Sequence, residues 1–276
     1  MTKVRIKFSK HGPVRFVGHL DLMRYFQKVM RRAGVDIAYS EGYSPHQLMS
    51  FAQPLPAGAT SDGEYADLTL QSFRDIRLSE SQNANAKEEL SGEDTLKSLC
   101  LRMNSVMHEG ITVTDAAVLE QGAEKAMTSV AACRWRLAFR AEDPLGQRAK
   151  DALAGQGGAK AVLTRFLQSE RIVVRKKTKK AEKDVDLKPL IHEALADADG
   201  VIRVLMKAGS VDNVRPALFA AALLSFADAA AFPLQETEQQ MISALQVHRE
   251  ETYLAAEEEG REVLLPLIPA TTPTRV

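Results

Sequence analysis

The order of extended and helical segments in the first 119 residues constrains the fold more than any other feature of the chain. Val4, Ile6 and Phe8 alternate with polar residues, which is typical of a strand with one buried face. Periodicity and turn residues predict helices at about 19–34 and 94–108, and extended segments at 14–17, 36–39, 47–52, 64–70 and 111–119. This β-α-β-β-α-β order is that of a ferredoxin-like, or split βαβ, domain with an antiparallel sheet.

The second half of the chain repeats this order more loosely. Strands are predicted at 132–140, 172–175, 201–207, 247–254 and 262–267, and helices at 144–168 in two pieces, 187–196 and 216–230. We therefore expect an α+β protein with two tandem ferredoxin-like domains. The predicted domains are residues 1–122, with a flexible insertion at 72–94, and residues 130–268, followed by a disordered tail at 269–276.

Charge is balanced over the whole chain but not along it. The 36 basic and 36 acidic residues cancel, so net charge indicates no class of partner. Residues 1–50 hold nine Lys or Arg against three acidic residues, and residues 171–190 hold eight against three. Residues 236–262 hold eight Glu against two Arg. The two basic segments favour an anionic partner, and a solvated charged surface is the alternative.

Several classes of protein are disfavoured by what the sequence lacks. Cys100 and Cys133 are far apart, which argues against a disulfide framework, a zinc site or an iron–sulfur cluster. The N-terminus has no apolar signal-peptide core, and the longest apolar stretch is too short to cross a membrane. Phosphate-loop, dinucleotide, zinc-protease and nucleophile-elbow motifs are missing. We expect a cytoplasmic protein without a cofactor.

Residues 15–58 concentrate the candidate functional side chains. His19 and Asp21 fall in the first turn of the first helix, where its dipole favours negative charge. Tyr43, Ser44 and His46 follow in a loop that Gly42 and Pro45 should constrain, and such loops on a rigid sheet often form binding sites. Alternatively, Asp21 only caps the helix and the loop is only a turn. His19, Asp21 and His46 could bind a metal, but their spacing in the sequence is not diagnostic of a metal site, so we predict no metal.

Basic side chains supply the candidate phosphate contacts. Arg24, Lys28 and Arg31 recur at helical spacing on one side of the first helix, and Arg15 precedes it. Further candidates are Lys176, Lys177, Lys179 and Lys180, with Asp186 marking a turn nearby. A second anion seat is predicted before the helix at 216, from Ser210, Asn213 and Arg215, although a helix cap explains the same letters.

The chain resembles the radical-SAM-linked family of bacterial proteins, whose members are fused to or encoded beside radical S-adenosylmethionine proteins. The resemblance lies in VRIKFSKHGPVRFVGHLDLMRYFQKVMRRAGVDIAYSEGYSPHQLMSFAQPLPAGATSDGEYADL, in KKTKKAEKDVDLKPLI at 176–191 and in MKAGSVDNVRPALFAAAL at 206–223. It covers most of the chain outside residues 72–94. It implies a radical SAM protein as partner but names no activity. The cysteine cluster of a radical SAM enzyme is absent from this chain.

These features lead to three hypotheses. The first is a non-catalytic RNA-binding or substrate-presenting partner of a radical SAM enzyme, in tRNA or rRNA modification. The second is a nucleotide- or RNA-processing enzyme in which His19, Asp21 and His46 are acid–base groups, which requires them to share one cleft. The third is a protein–protein adaptor that binds no RNA, with the Glu-rich 250–262 region facing a basic partner.

Overall fold

A computed structural model describes residues 1–72, 92–177, 182–209 and 212–268. Most of the predicted insertion at 72–94 and all of the predicted tail at 269–276 lie outside the described residues. Contacts divide the chain into two units, and the second is Ala131–Glu251. The first contains Met1–Val130 together with the described residues from Thr252 onward. The sequence analysis had assigned 252–268 to the second domain, whereas these residues return to the first.

The first unit contains strands β1 to β4 and helices α1 to α3. In chain order they are β1 (Thr2–Lys10), α1 (His19–Arg32), β2 (Met49–Phe51), β3 (Thr60–Leu70), α2 (Gly92–Asn104), β4 (Ile111–Val118) and α3 (Ala126–Ser129). The order of these strands in the sheet is β4-β1-β3-β2, and each neighbouring pair is antiparallel. The α+β class predicted from sequence is thereby confirmed.

The core of the first unit lies on one face of this sheet. Val4, Ile6 and Phe8 of β1 are buried there, together with the apolar positions of α1 and α2 such as Phe26 and Leu99. The Phe8 and Phe26 rings lie 4.9 Å apart, between centroids. Both helices therefore cover the same face, as the alternating and helical periodicities predict. Lys3, Arg5 and Lys7, which alternate with them, belong to the opposite face.

In the described residues of the second unit there are four α-helices and most of the remaining strands. In chain order they are β5 (Val130–Phe139), α4 (Pro144–Ala154), α5 (Gly158–Gln168), β6 (Val173–Lys177), β7 (Glu182–Asp186), β8 (Ile191–Ala196), β9 (Ile202–Lys207), α6 (Pro216–Ala227), α7 (Leu234–Ala244) and β10 (Leu245–Glu258). The strand order is β10-β5-β9-β8, and β6 and β7 form a separate two-stranded ribbon. Strand β10 ends in the first unit, where it forms a hairpin with β11 (Arg261–Pro266).

Four local predictions from sequence need correction. Residues 14–17 are not extended, because Pro13 starts a 3-10 turn over Gly12–Phe16. Residues 36–39 form only isolated bridges, at Ile37 and Tyr39. The helix predicted at 187–196 is a short 3-10 turn containing Pro189, followed by strand β8. Helix α7 was not predicted, since it buries few side chains and its sequence is largely polar.

No helix among the described residues combines the length and the apolar character that a membrane crossing requires. The longest helix there, α1, has 14 residues and a strongly charged outer face.

Candidate binding surface and sheet-face pocket

Helix α1 exposes the basic residues that the sequence analysis singled out. Arg24, Lys28 and Arg31 are all exposed. Arg24 Nη1 donates to Asp21 Oδ1 at 3.2 Å, so part of its charge is balanced. Lys28 and Arg31 have no ion pair among the described residues. These two cations are therefore available to an anionic ligand.

The loop from Ser40 to His46 is closed by hydrogen bonds across its base. Ser40 N–H donates to His46 O at 2.8 Å, and His46 N–H donates to Ser40 Oγ at 3.0 Å. The same hydroxyl lies 2.8 Å from Nδ1 of the His46 ring. Gly42 has a φ of +105°, a conformation that glycine adopts more easily than other residues. Tyr43 at the tip is fully exposed, and Ser44 and His46 are exposed as well.

Gln47 joins this loop to helix α1. Its side-chain amide donates to Gln27 O at 3.3 Å and to Tyr39 Oη at 3.2 Å. Residues three and four positions from Gln27, which include Arg24 and Arg31, share its side of the helix. We call the exposed cations Arg24, Lys28 and Arg31 of α1, together with Tyr43 of the loop, the α1–loop surface.

His19 and Asp21 have other neighbours. The His19 ring meets the edge of Phe51 at 5.6 Å between centroids, while Asp21 pairs with Arg24. Among the described residues, no recorded contact joins His19 to His46. The shared cleft that an acid–base site would need is not supported by these contacts. No group of three His, Cys, Asp or Glu suited to a metal is found in the described part of the chain.

A buried lysine shapes the segment that leads into α1. Lys10 is buried, and its ammonium group donates to Val17 O at 2.7 Å and to Arg15 O at 3.4 Å. Burial lowers the pKa of Lys10, and the negative charge of Glu64 partly opposes this effect. The Arg15 guanidinium lies over the Phe16 ring at 4.7 Å from its centroid. A phosphate contact from Arg15 stays a prediction.

The face of the sheet opposite the helices contains a pocket that the sequence analysis did not predict. Its volume is about 320 Å³. It is lined in part by Lys3 of β1, Thr69 of β3, Met49 of β2, His46 and Lys125. Only His46 was among the predicted site residues. Lys3 and Lys125 are exposed and have no ion pair among the described residues.

The segment that walls the pocket is fixed to the sheet at both ends. Leu119 N–H donates to Lys3 O at 2.9 Å, and Ala126 N–H donates to Asp67 Oδ2 at 2.7 Å. Between them, Arg5 Nη2 donates to Glu124 O at 2.8 Å. The segment 119–127 is therefore preorganised by hydrogen bonds to the sheet, and preorganisation lowers the entropic cost of ligand binding.

Asp67 is the acidic side chain in the pocket lining, and its charge is already balanced. Arg5 Nε donates to Asp67 Oδ1 at 2.7 Å, and Arg5 Nη2 donates to Oδ2 at 3.2 Å. Both side chains are largely buried. The remaining ionisable groups of the lining are Lys3, Lys125 and His46, so the pocket favours an anion.

The described residues contain only part of the predicted basic site of the second unit. Lys179, Lys180 and Ser210 lie outside the described residues, and Lys176 and Lys177 belong to strand β6. Asp186 holds the ribbon, because Ile172 N–H and Lys188 N–H donate to its Oδ1 at 2.9 and 3.0 Å. These bonds, with a smaller contribution from Arg171, keep the pKa of Asp186 below its ordinary value.

The predicted anion seat before α6 has a different arrangement. Arg215 is the N-cap residue, and no side chain caps this helix. The Arg215 guanidinium pairs with Glu238 of α7, and its Nη2 lies 2.6 Å from Glu238 Oε1. Asn213 is half-buried just before the helix. Arg215 therefore already has an anionic partner within its own unit, and an external anion would have to compete with Glu238.

Comparison with curated proteins finds no match to this chain. The model of a bacterial protein family matches residues 3–92 and 79–216. The matched residues include α1, the loop after it and all residues that line the sheet-face pocket. The description of the family gives neither an activity nor a partner. The chain belongs to this family, described as "Uncharacterized protein conserved in bacteria (DUF2344)".

Proposed function

We propose that the protein is a non-catalytic RNA-binding partner of a radical SAM enzyme and presents tRNA or rRNA for modification. One observation carries the RNA-binding part. Lys28 and Arg31 are exposed on α1 without ion pairs among the described residues, and the Tyr43 loop is joined to α1 through the Gln47 side chain and Gln27 O. The radical SAM partner rests on the sequence resemblance alone.

The chemistry of this surface suits single-stranded or loop RNA. Exposed ammonium and guanidinium groups bind phosphates and release counterions, so the affinity should depend on salt. An unstacked base needs an aromatic face, which the fully exposed Tyr43 offers at the tip of a loop closed by hydrogen bonds. Together these groups provide backbone contacts and one stacking contact within one surface.

We also propose that both units follow the ferredoxin-like plan. The sheet order of the first unit is β4-β1-β3-β2. The sheet order of the second unit is β10-β5-β9-β8. Among these four strands, β5 comes first in the chain and β10 last, so this order corresponds to that of the first unit. The β-α-β-β-α-β order of both halves supports this proposal.

The adaptor hypothesis is favoured by a different observation. Phe16, in the 3-10 turn before α1, is 64% exposed, and Leu20, in the first turn of α1, is 63% exposed. Two large exposed apolar side chains in one short segment suit a protein contact. The acid–base hypothesis receives no comparable support, because His19, Asp21 and His46 contact different neighbours.

A salt titration tests RNA binding. Affinity for tRNA and rRNA fragments is measured by fluorescence anisotropy at several salt concentrations. In Lys28→Ala/Arg31→Ala we expect weaker binding and a salt slope reduced by about one to two, the value for two lost phosphate contacts. The matched control is Lys150→Ala/Lys160→Ala, which removes two exposed charges from α4 and α5. Equal affinity and slope for the α1 variant and wild type would contradict the proposal.

Two further measurements complete this test. Lys176→Ala/Lys177→Ala asks whether the basic ribbon contributes, as the sequence predicts, and an unchanged slope would remove it from the interface. Co-purification with the neighbouring radical SAM protein, with and without nuclease, tests the partner. Recovery that survives nuclease while tRNA affinity is absent would favour the adaptor instead.

A further inference from the structure

The sheet-face pocket has a composition that neither the family description nor the proposed α1–loop surface explains. It combines two exposed lysines, an imidazole, hydroxyl groups and two methionines in about 320 Å³. The lysines are not close in sequence, since one lies in β1 and the other in the segment before α3. Folding brings them to one cavity, where neither has an ion pair among the described residues.

The charge of the pocket selects an anionic ligand. Arg5 and the Ala126 amide occupy both oxygens of Asp67, so this carboxylate does not balance the lysines. Ammonium groups bind a phosphate through charge-assisted hydrogen bonds, and several donors can share its three oxygens. Lys3 and Lys125 together match the charge of one phosphate monoester.

The rest of the lining suits an aromatic base that is joined to that phosphate through a sugar. The 53% exposed Met127 offers a flexible, polarizable thioether, which packs well against aromatic rings. Ser50 and Thr69 add hydroxyls that can bond to a sugar or to a base edge. The volume lies at the lower end of the range for small-molecule sites and exceeds what an inorganic anion needs.

We propose that this pocket binds one nucleoside monophosphate unit, with the phosphate held by Lys3 and Lys125 and the base against Met127. Free nucleotides and nucleotide units within RNA share this chemistry. The proposal goes beyond the proposed function, because the site lies on the sheet face opposite the helices and uses none of the α1 cations.

Methyl NMR of the full chain with ¹³C-methyl methionine tests it. We expect AMP to shift the Met127 methyl signal through the ring current of adenine. Inorganic phosphate should give no such shift, and adenosine should bind about tenfold more weakly than AMP because it lacks the phosphate. Signals of the other methionines should stay in place. Equal affinity for adenosine and AMP, or shifts confined to other methionines, would overturn the proposal.

A pair of matched variants tests the lysines. Lys3→Ala/Lys125→Ala should weaken AMP binding about tenfold or more, while Lys150→Ala/Lys160→Ala should bind as wild type. Both lysines are exposed, so the unliganded methyl spectrum should be preserved and should show that the fold is intact. Wild-type AMP affinity in the Lys3/Lys125 variant would also overturn the proposal.

A short single-stranded RNA in place of AMP separates the two sources of the ligand. A Met127 shift with RNA alone indicates a nucleotide unit within a chain, and a shift with AMP as well indicates that the free nucleotide suffices. If neither ligand shifts the Met127 signal, the pocket proposal is wrong. If AMP shifts it but no RNA binds to the α1–loop surface, the proposed RNA-binding function fails while the pocket assignment stands.

Discussion

Arg5 and Asp67 form a largely buried ion pair on the sheet face opposite the helices, with Arg5 Nε 2.7 Å from Asp67 Oδ1. The pair also fixes distant segments, because Arg5 donates to Glu124 O and Leu267 O, and Asp67 accepts Ala126 N–H. One interaction thus joins β1, β3, the pocket wall and the C-terminal segment of the first unit.

Asp67→Ala should destabilise the protein strongly. It leaves the Arg5 guanidinium buried without its partner, which typically costs about 3–5 kcal/mol. Chemical denaturation followed by circular dichroism measures the loss. The control is Asp62→Ala, which removes an exposed carboxylate of β3 whose pair with His11 should contribute about 0–1 kcal/mol. Similar losses for both variants would show that the buried pair is not a main anchor.

The α1–loop surface could be predicted largely from sequence, because its signals are local. The spacing of Arg24, Lys28 and Arg31 reports a helix face directly, and Gly42 marks a turn that only a residue tolerant of positive φ adopts easily. The link between loop and helix was not predictable in the same way. It depends on the side chain of Gln47, a residue with no special pattern around it.

The sheet-face pocket illustrates what local patterns cannot supply. Strand alternation places Lys3 on the face opposite Val4. The position of Lys3, one of the two lysines of the pocket, could therefore be predicted from sequence. The position of Lys125 depends on the path of the segment after β4, which tertiary hydrogen bonds to Lys3 O and Asp67 determine. Helix α7 was missed because its sequence is largely polar and only Thr237, Met241 and Ala244 are buried, which leaves little apolar periodicity.

Arg102→Ala should loosen the end of helix α1. Arg102 of α2 donates to Ala33 O at 2.7 Å and to Gly34 O at 2.7 Å, at the end of α1 where carbonyl groups lack helical partners. We expect a loss of about 1.5–3 kcal/mol, typical of hydrogen bonds from a charged donor. Arg102→Lys is the informative control, because it keeps the charge but not the planar fork. Denaturant midpoints that rank Ala below Lys and Lys below wild type would bear this out, whereas a wild-type midpoint for Ala would refute it.

Asp143 should contribute stability that depends on pH. It caps helix α4, and the Gly146 amide is the main cause that holds the pKa of Asp143 below its ordinary value, with a smaller contribution from Leu145. A lowered folded-state pKa means that the stabilisation is complete above the unfolded value of about 3.9 and is lost as pH falls through the folded value.

We therefore expect Asp143→Asn to lower the melting temperature at pH 7 and to approach wild type in acid. Asn keeps a neutral capping oxygen, so the comparison isolates the charge. Melting curves between neutral and acidic pH measure the difference, with the exposed neighbour Glu142→Gln as control. A gap between Asp143→Asn and wild type that stays constant over this range would be inconsistent with the assigned role.

Cys100 should be a poorly reactive thiol at neutral pH. Burial, and to a smaller extent the negative charge of Asp115, raise the pKa of Cys100 to about 11. At pH 8 only about one thiol in a thousand is then ionised, and the thiolate is the reactive form. In a Cys133→Ser background, alkylation by iodoacetamide should be slow at pH 8 and rise about tenfold per pH unit up to about pH 10. Asp115→Asn should lower the pKa and speed the reaction. If alkylation at pH 8 matches that of a small free thiol, the side chain is not enclosed as the packing of α2 indicates.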